Sequence, residues 1–479
     1  MIKRKEANLI MKPSTICRIP LKDFLKTARD IRSKEPALYD ASIVLDTCAV
    51  TTHIDRSAKR IIKHEQIRIN EYTLYEFELL SQFPEGLFYK KSVQLLNLVY
   101  DDFITVDKGL NTALAQYNSK LNGFIFVTAS RLRAIEYLES IFFSDSAVIF
   151  PDEDGINLTY CILSSDLKHR KQFILSMKNS AGNINENIAS PITYSNTGEV
   201  SMEGKKYEFY AKGGEGTLFK RNDTILKLYN YKTNNLKAEK ISLLIKEGKK
   251  PSGINSYVMF PQKLVDYKSN SGYTMEKAEG VTLTKALKDI FYMKIITEKA
   301  NEIFKNILYV VLEINLRGIV LSDISSDNIM INKFGGVFFC DIDSAQVSHN
   351  NLYYASGCYR PKASAPKIAK ISIKEPNRLS SYIRTQENDA FSLAVLLYEI
   401  YMGGCSPLHA TGELGLANFY ENTFPLNYYT TSRYGVPASV LNRWVNLDLE
   451  SRIFFVDTFS AKIKPCIGML IKYVFGRTY

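Results

Sequence analysis

The sequence has few cysteines and few histidines, and both are scattered along the chain. Its seven cysteines fall at positions 17, 48, 161, 340, 358, 405 and 466 of 479, and none forms a Cys-x-x-Cys pair. An odd, dispersed set argues against a disulfide framework or a cysteine-rich zinc site, and it favours a reducing compartment. The five histidines, at positions 53, 64, 169, 349 and 409, show no metal-ligand spacing. The sequence therefore indicates no histidine-rich metal site.

Long apolar runs are also missing. No run reaches the ~18 residues that a membrane-spanning helix needs. The basic start, MIKRKEANLI, is not followed by the apolar segment of a secretory signal. We therefore expect a cytoplasmic protein without a membrane partner. A hydrophobic content of 46% with 23% charged residues is typical of globular proteins, and 479 residues indicate two or more domains.

Positive charge is concentrated at the N-terminus. The formal net charge is 61 − 50 = +11, and residues 1–34 contribute +7 of it, with ten Lys/Arg against three Asp/Glu. A basic arm of this kind either follows the phosphates of RNA or keeps a terminus solvated. Within it, five apolar residues recur at helical spacing and predict an amphipathic helix over 21–33: Leu21, Phe24, Leu25, Ala28 and Ile31.

The stretch after the arm alternates between strand-like and helix-like patterns. ASIVLDTCAV (41–50) contains a short apolar run that ends at an acid, the pattern of a buried strand, and FIFVTAS (124–130) is typical of another. Apolar residues over 73–100 and 109–121 predict helices. The alternation predicts an α/β domain over residues 35–175.

A polar stretch separates this domain from a second one. Residues 176–204 are rich in Asn, Ser and Gly and are expected to be a linker. A second domain is predicted over 205–479, with short strands first and helices after about residue 280.

The second domain opens with a glycine-rich segment, AKGGEGTLFKRNDTILKLY (211–229). Its pattern predicts two strands joined by a tight Asn222-Asp223 turn, the first emerging from a glycine bend. Glycines let backbone N–H groups approach a polyphosphate, although a simple hairpin with a glycine bulge has the same pattern. Lys227 lies inside the apolar second strand and needs a partner there. Glu239, in a predicted helix, is the candidate, and a solvated strand lysine is the alternative.

Two later segments supply acids and an amide at informative spacing. In NLRGIVLSDISSDNIMIN (315–332), Asp323 and Asn328 are five residues apart in a polar loop. This is the spacing of a protein-kinase catalytic loop, in which the Asp is the base and the Asn a metal ligand. Asp341 follows at the end of an apolar strand, where a carboxylate can hold Mg²⁺. Each feature alone also suits a turn or cap, but their order favours a phosphate-handling site.

Residues 205–479 resemble the eukaryotic-like serine/threonine protein kinases, which have an α+β bilobal fold. The DIDSAQ segment (341–346) resembles a bacterial branch in which D-x-D-S replaces D-F-G. The resemblance implies a role for each matching residue. Gly213, Gly214 and Gly216 would form the phosphate loop, Leu218 would cover the adenine, and Lys227 would bind phosphates and pair with Glu239. YTMEKAEG (273–280) would be the hinge, with backbone groups of Glu276 to Ala278 near the adenine. Asp323 would orient the acceptor hydroxyl, Asn328 and Asp341 would bind metal, Asp389 would brace the catalytic loop, and GGCSP (403–407) would be the loop after its helix.

The sequence departs from the kinase pattern at several positions. Ala211 replaces the first glycine of the phosphate loop. Leu321-Ser322 replaces the His-Arg before the catalytic Asp, so the arginine that binds a phosphorylated activation loop is absent. This predicts a kinase that is not switched by such phosphorylation. Ser325 stands where a lysine near the γ-phosphate is usual, and YRPK (359–362) stands where A-P-E is expected. An active enzyme and an ATP-binding pseudokinase both remain open.

The first domain resembles the PIN-like nucleases through VLDTCAV (44–50), NEYTLYEFELL (70–80) and FVTAS (126–130). The resemblance implies that Asp46 and Glu76 belong to an acid cluster that holds Mg²⁺ or Mn²⁺ for phosphodiester cleavage. Ser130 stands where the family has a further acid, and the third carboxylate remains open between Asp101, Asp102 and Asp107. An Asp-Thr pair after a strand also simply caps a helix. A von Willebrand A domain is excluded because D-x-S-x-S is missing.

These patterns predict an ATP-dependent serine/threonine protein kinase that uses Mg²⁺ or Mn²⁺ and acts on a protein substrate. The kinase would be fused to a PIN-like module that cuts RNA or recognises the substrate, in a bacterial stress, toxin or phage-defence system by analogy. The alternative is a pseudokinase that binds ATP and regulates a metal-dependent PIN-like ribonuclease.

Overall fold

The structure is a computed structural model of the chain. It describes residues 19–53, 60–63, 65–107, 123–140, 146–152, 156–163, 171, 174, 198–231, 233–267, 270–349, 352–354, 356, 365, 368, 371–372, 374–375, 382–407, 424–427 and 436–475. The basic residues 1–18, the predicted helix over 109–121 and the YRPK segment lie wholly or largely outside this part of the chain.

The N-terminal half is built on one six-stranded sheet in the order β3-β2-β1-β4-β5-β6. The first five strands are parallel and β6 is antiparallel to β5. The strands are β1 (Ser42–Leu45), β2 (Ile67–Asn70), β3 (Thr105–Asp107), β4 (Phe124–Val127), β5 (Ser146–Pro151) and β6 (Leu158–Ile162). The helices are α1 (Leu21–Lys34), α2 (Thr47–His53), α3 (Glu71–Leu80), α4 (Tyr89–Tyr100) and α5 (Arg131–Ser140), with a 3₁₀ turn at Pro36–Leu38.

Helices cover both faces of this sheet, and this is why β1 and β4 are apolar throughout. Ile43 and Leu45 of β1 face the core that contains α1 to α4, whereas Val44 faces the core that contains α5. The predicted helix over 21–33 is confirmed as α1, and its apolar stripe, from Leu21 to Ile31, is fully buried. The helix is therefore part of the domain and not of a free basic arm.

The C-terminal half opens with a six-stranded antiparallel sheet in the order β11-β12-β10-β9-β8-β7. Its strands are β7 (Glu199–Met202), β8 (Lys205–Lys212), β9 (Gly216–Arg221), β10 (Thr224–Tyr229), β11 (Pro261–Tyr267) and β12 (Asn270–Glu276). The predicted Asn222-Asp223 turn is confirmed, with Asn222 at φ 51°. Helix α6 (Asn235–Gly248) contacts β11, and a 3₁₀ turn follows at Gly253–Ser256. Because β7 pairs with β8, this sheet begins inside the stretch expected to be the linker.

The remainder is helical, with short strands that carry polar loops. The helices are α7 (Leu283–Ala286), α8 (Ile290–Glu298), α9 (Ala300–Leu316), α10 (Gln386–Tyr401), α11 (Ala438–Val445), α12 (Leu449–Phe459) and α13 (Ile467–Phe475). The strands are β13 (Val281–Thr282), β14 (Ile319–Val320), β15 (Ile329–Ile331), β16 (Val337–Phe339), β17 (Gln346–His349) and β18 (Leu352–Tyr354), with a 3₁₀ turn at Ile342–Ser344. Helices α9 and α10 are buried along most of their length and form the centre of this part.

The two halves share one hydrophobic core. Phe83 stacks on Tyr309 of α9, with ring centroids 3.6 Å apart. Helix α13 packs on α3 so closely that a Cβ on Gly468 would lie 2.2 Å from the carbonyl oxygen of Tyr72. Only glycine permits this approach, so the last helix of the chain is docked on the N-terminal half.

No helix formed by the described residues combines the length and the apolar character needed to cross a bilayer.

Candidate functional site

Lys227 lies on β10, a central strand of the antiparallel sheet, and only 3% of it is exposed. Its ammonium pairs with Asp341 and with Asp343, whose Oδ1 is 2.8 Å from Nζ. The expected pair with Glu239 is not formed. Glu239 instead accepts a hydrogen bond from the Tyr354 hydroxyl at 3.0 Å, because its side chain lies on the exposed side of α6.

Asp343 is the most enclosed acid of this site, with 0% exposed surface. Besides Lys227, it accepts hydrogen bonds from the hydroxyls of Tyr229 at 2.6 Å and Tyr273 at 3.0 Å, and it lies 3.4 Å from the Lys237 ammonium. We call these five residues the Asp343 cluster. Burial opposes ionisation of Asp343, but Lys227 and Lys237 outweigh it and hold its pKa well below the usual range.

The glycine bend lies beside Lys227 and is held by backbone and amide hydrogen bonds. Gly213 N donates to the Gly216 carbonyl at 2.8 Å, and Asn230 Nδ2 donates to the Gly213 carbonyl at 3.1 Å. A Cβ on Gly216 would lie 3.1 Å from Lys227 Cε, whereas a Cβ on Gly214 would meet no atom within 4 Å. The bend is therefore closely packed against the lysine at Gly216 and open at Gly214. Leu218 is paired across the strands with Lys227.

A β-ladder connects the predicted catalytic loop, from Asp323 to Asn328, with Asp341. Strand β15 follows Asn328 and β16 precedes Cys340, and the ladder ends where Cys340 N donates to the Asn328 carbonyl at 2.8 Å. Asn328 Nδ2 donates to Asp323 Oδ2 at 2.8 Å. Since Asp341 follows Cys340 and pairs with Lys227, the four predicted polar residues belong to one connected site.

Asp389 braces this loop from inside α10, as the resemblance implies. Its carboxylate accepts hydrogen bonds from Leu321 N at 2.7 Å and Ser322 N at 2.8 Å, and from Asn315 Nδ2 at 2.9 Å. Burial raises the pKa of Asp389 to about 6, and these hydrogen bonds oppose the rise. The Arg384 guanidinium also donates to the Ser322 carbonyl at 2.7 Å.

The remaining predicted positions have simpler surroundings. Glu276 ends β12, and Ala278 is buried beyond it. The peptide between them is tied to the turn before β10, because Lys277 N donates to the Asp223 carbonyl at 2.8 Å. Ser325 Oγ has no hydrogen-bond partner among the described residues.

The N-terminal acids line a different cleft, at the carboxyl edge of the parallel sheet. Asp46 and Glu76 both face it. Asp46 accepts hydrogen bonds from Ala49 N at 2.7 Å and from the Tyr137 hydroxyl at 3.2 Å. Glu76 accepts hydrogen bonds from Thr47 Oγ1 and from Gly468 N. The structure thus brings the two predicted acids to one cleft, and each already has protein donors.

A protein cation lies beside the acids of this cleft. The Arg133 guanidinium, which also lines the cleft, lies 3.6 Å from Glu76 Oε1. No candidate third carboxylate joins the acids: Asp107 pairs with Arg68 at 3.2 Å, and Asp101 and Asp102 are exposed. Within the described part of the chain, no group of three or more His, Cys, Asp or Glu side chains could hold a metal ion. The expected acid cluster is therefore not assembled there.

An antiparallel sheet with one flanking helix, followed by a helical part that carries a braced Asp/Asn loop, is compatible with a protein-kinase-like fold. The chain is similar to two curated relatives, each named "Protein kinase YegI". It is 22% identical to the one from Escherichia coli O157:H7 over 228 residues, and 21% identical to the one from Escherichia coli strain K12 over 225 residues. Each match covers 45% of this chain and about a third (34% and 33%) of the relative. No family model matches the chain. The chain thus contains a kinase-like region, related at low identity to these proteins.

Several site residues were missed from the sequence. Asp343 lies two positions after Asp341 in the quoted D-x-D-S segment, and this second acid was a usable signal. Lys237 and Arg384 belong to no recognisable pattern, because only the packing of α6 and of the segment before α10 brings them to the site. Arg133 could not be associated with Asp46 and Glu76 from spacing.

Proposed function

We propose that this chain is an ATP- and Mg²⁺-dependent protein kinase that phosphorylates serine or threonine hydroxyls. The observation that supports this most strongly is the connection of Lys227, Asp341, Asn328 and Asp323 through one β-ladder and its flanking contacts. Weak similarity to relatives named as protein kinases supports the same class.

The residues present fit a metal-bound nucleotide. Asp341 and Asn328 offer the carboxylate and amide oxygens that Mg²⁺ prefers, and the Asp341 side chain is 40% exposed and thus within reach of a ligand. The glycine bend is open at Gly214, where backbone groups could approach phosphates. When bound, ATP with Mg²⁺ supplies a γ-phosphoryl group whose charge the metal partly neutralises.

The chain's own groups then have separate roles. Lys227 binds the phosphates, and Glu276 to Ala278 contact the adenine through their backbone. Asp323 accepts the proton of the acceptor hydroxyl while Asn328 holds its carboxylate in place. Asp389 and Arg384 keep the catalytic loop in position.

Phosphoryl transfer is tested by incubating the full chain with labelled ATP, Mg²⁺ and a generic protein acceptor such as casein. We expect labelling by the wild type and a loss of about 100-fold or more in Asp323→Asn, because general-base catalysis is removed. Equal labelling by both proteins would overturn the assignment of Asp323.

A pseudokinase is the second candidate, since Ser325 and Leu321-Ser322 replace residues of the usual transfer machinery. In that case ATP with Mg²⁺ would raise the melting temperature of the wild type but not of Lys227→Met, and no label would be transferred.

For the N-terminal half we propose a PIN-like fold that recognises a partner or substrate and supports the kinase, in the cytoplasm. The parallel strand order supports the fold, and the Arg133 counterion disfavours a metal-dependent nuclease. Incubation with single-stranded RNA and Mn²⁺ tests this proposal: RNA cleavage that Asp46→Asn abolishes would favour a ribonuclease, with the basic arm as its RNA contact.

A further inference from the structure

The fully buried carboxylate of Asp343 joins three separate elements of the candidate kinase site. Its Oδ1 accepts hydrogen bonds from Lys227 of β10 and Tyr273 of β12, and its Oδ2 accepts from Tyr229 and lies close to Lys237 of α6. A carboxylate with no exposed surface is tolerated only when it is paired and hydrogen-bonded in this way.

Helix α6 presents cations to this carboxylate. Lys237 is 3% exposed and Lys240 is 1% exposed on its inner side. Its acids have other partners: Glu239 accepts a hydrogen bond from Tyr354, and Glu247 pairs with Lys250 at 2.7 Å. The acid that holds the phosphate-binding lysine therefore comes from the D-x-D-S segment and not from the helix.

We propose that Asp343 is the positioning residue that holds Lys227 for the nucleotide phosphates. Lys237 ties helix α6 to Asp343, so the helix contributes a lysine where the resemblance implies the glutamate Glu239. This inference rests on the proposed kinase function. It assigns the second acid of D-x-D-S to the lysine and leaves the first, Asp341, for the metal.

The exposure of the two acids supports this division. The Asp341 side chain is 40% exposed and Asp341 is at φ 59°, whereas Asp343 has no exposed surface. Lys227 keeps one buried partner when Asp341 turns towards a bound metal. The Lys227 ammonium thus stays beside the glycine bend with and without a bound metal.

The division is tested by measuring the ATP dissociation constant of the full chain by calorimetry, with and without Mg²⁺. We expect Asp343→Asn and Lys237→Met to weaken ATP binding under both conditions, by about tenfold for Asp343→Asn, because Lys227 loses a charged hydrogen bond. Asp341→Asn should weaken binding mainly when Mg²⁺ is present. Lys246→Met, which changes an exposed lysine of the same helix, is the matched control and should bind ATP as the wild type does.

A double variant separates positioning from folding. Asp343→Asn removes the negative charge that balances the buried ammonium groups of Lys227 and Lys237, so we expect the melting temperature to fall by several degrees. Adding Lys237→Met removes one of these cations, and the melting temperature should largely recover while the ATP affinity stays low.

The outcomes are distinguishable. If the double variant recovers both its melting temperature and its ATP affinity, the role of Asp343 is purely structural and the inference is overturned. A folded Asp343→Asn variant with wild-type ATP affinity would overturn it as well. A wild-type chain that binds no ATP would overturn the proposed function and this inference together.

Discussion

Asp46 is a buried carboxyl whose surroundings disfavour its charge. It is 6% exposed, and burial raises its pKa to about 6, although Arg133 and its hydrogen-bond donors act in the opposite direction. Its hydrogen bond from Ala49 N satisfies a donor at the start of α2. The residue thus has a structural role that needs an oxygen acceptor and not a negative charge.

Replacing Asp46 with Asn should therefore stabilise the protein in a pH-dependent way. The pKa of Asp46 is higher in the folded than in the unfolded protein, so ionisation of Asp46 lowers the stability of the fold. This loss of stability is absent below about pH 4, where the carboxyl is protonated in both states, and is complete above about pH 6. We expect Asp46→Asn to raise the free energy of unfolding by about 2–3 kcal/mol at pH 8. The gain should disappear towards pH 4, and urea unfolding at pH 4.5, 6 and 8 measures it.

The exposed Asp101 provides the control for this experiment. Asp101→Asn should show no comparable gain at pH 8. If Asp46→Asn raised the free energy of unfolding equally at all three pH values, the stabilisation would not come from removing the charge of Asp46.

At the scale of elements, the β9–β10 hairpin and its glycine bend form the side of the candidate site to which the proposed kinase function assigns the nucleotide. A Cβ at position 216 would lie 3.0 Å from the Leu228 carbonyl oxygen and 3.1 Å from Lys227 Cε. Contacts this short require the Lys227 side chain to move, because the backbone of β10 is fixed by its pairing with β9 and β12.

We expect Gly216→Val to raise the KM for ATP by about tenfold, a loss of roughly 1.4 kcal/mol. The effect should exceed that of Gly214→Val, since position 214 faces open space. Steady-state kinetics with casein measure both variants, and melting temperatures show whether the fold is kept. A larger effect at position 214 would mean that phosphate contacts, and not the position of Lys227, dominate.

At the scale of the whole molecule, helix α5 of the N-terminal half packs against the strand that leads into the Asp323–Asn328 loop. Leu132 forms a buried cluster with Val320, Tyr353 and Ile383. One turn further, Glu136 Oε1 accepts a hydrogen bond from Glu387 N, in the first turn of the helix that carries Asp389. The N-terminal half therefore supports the same loop that Asp389 braces.

Truncating this contact should affect catalysis as well as stability. We expect Leu132→Ala to cost about 2–5 kcal/mol of stability, as for other buried leucines, and to lower kcat because the catalytic loop loses support. Leu138→Ala is the matched control, since it lies on the same helix but faces the internal core of the N-terminal half.

Both variants are assayed below their melting temperatures, with casein as acceptor. Leu138→Ala should lose a similar amount of stability and keep its kcat. Equal kcat values for the two variants would contradict a coupling through α5.

Local patterns predicted much of the fold. The apolar periodicity of α1, the buried strands β1 and β4 and the hairpin at Asn222-Asp223 are all confirmed, because short-range spacing and turn chemistry decide them. Strand β7 lies in a stretch whose polar composition indicated a linker, and its pairing with β8 overrides that composition.

For the candidate site, the sequence alone selected four polar residues that the structure connects, but it missed Asp343, Lys237 and Arg384. The order and spacing of Lys227, Asp323, Asn328 and Asp341 are local properties, and each side chain is of a type that phosphates, metal ions or protons require. What only the tertiary structure decided is which charges face one another. Lys227 meets Asp343 and not Glu239, and Glu76 meets Arg133 and not a third acid. Ion pairing depends on how elements that are distant along the chain pack together, and no spacing in the sequence encodes that packing.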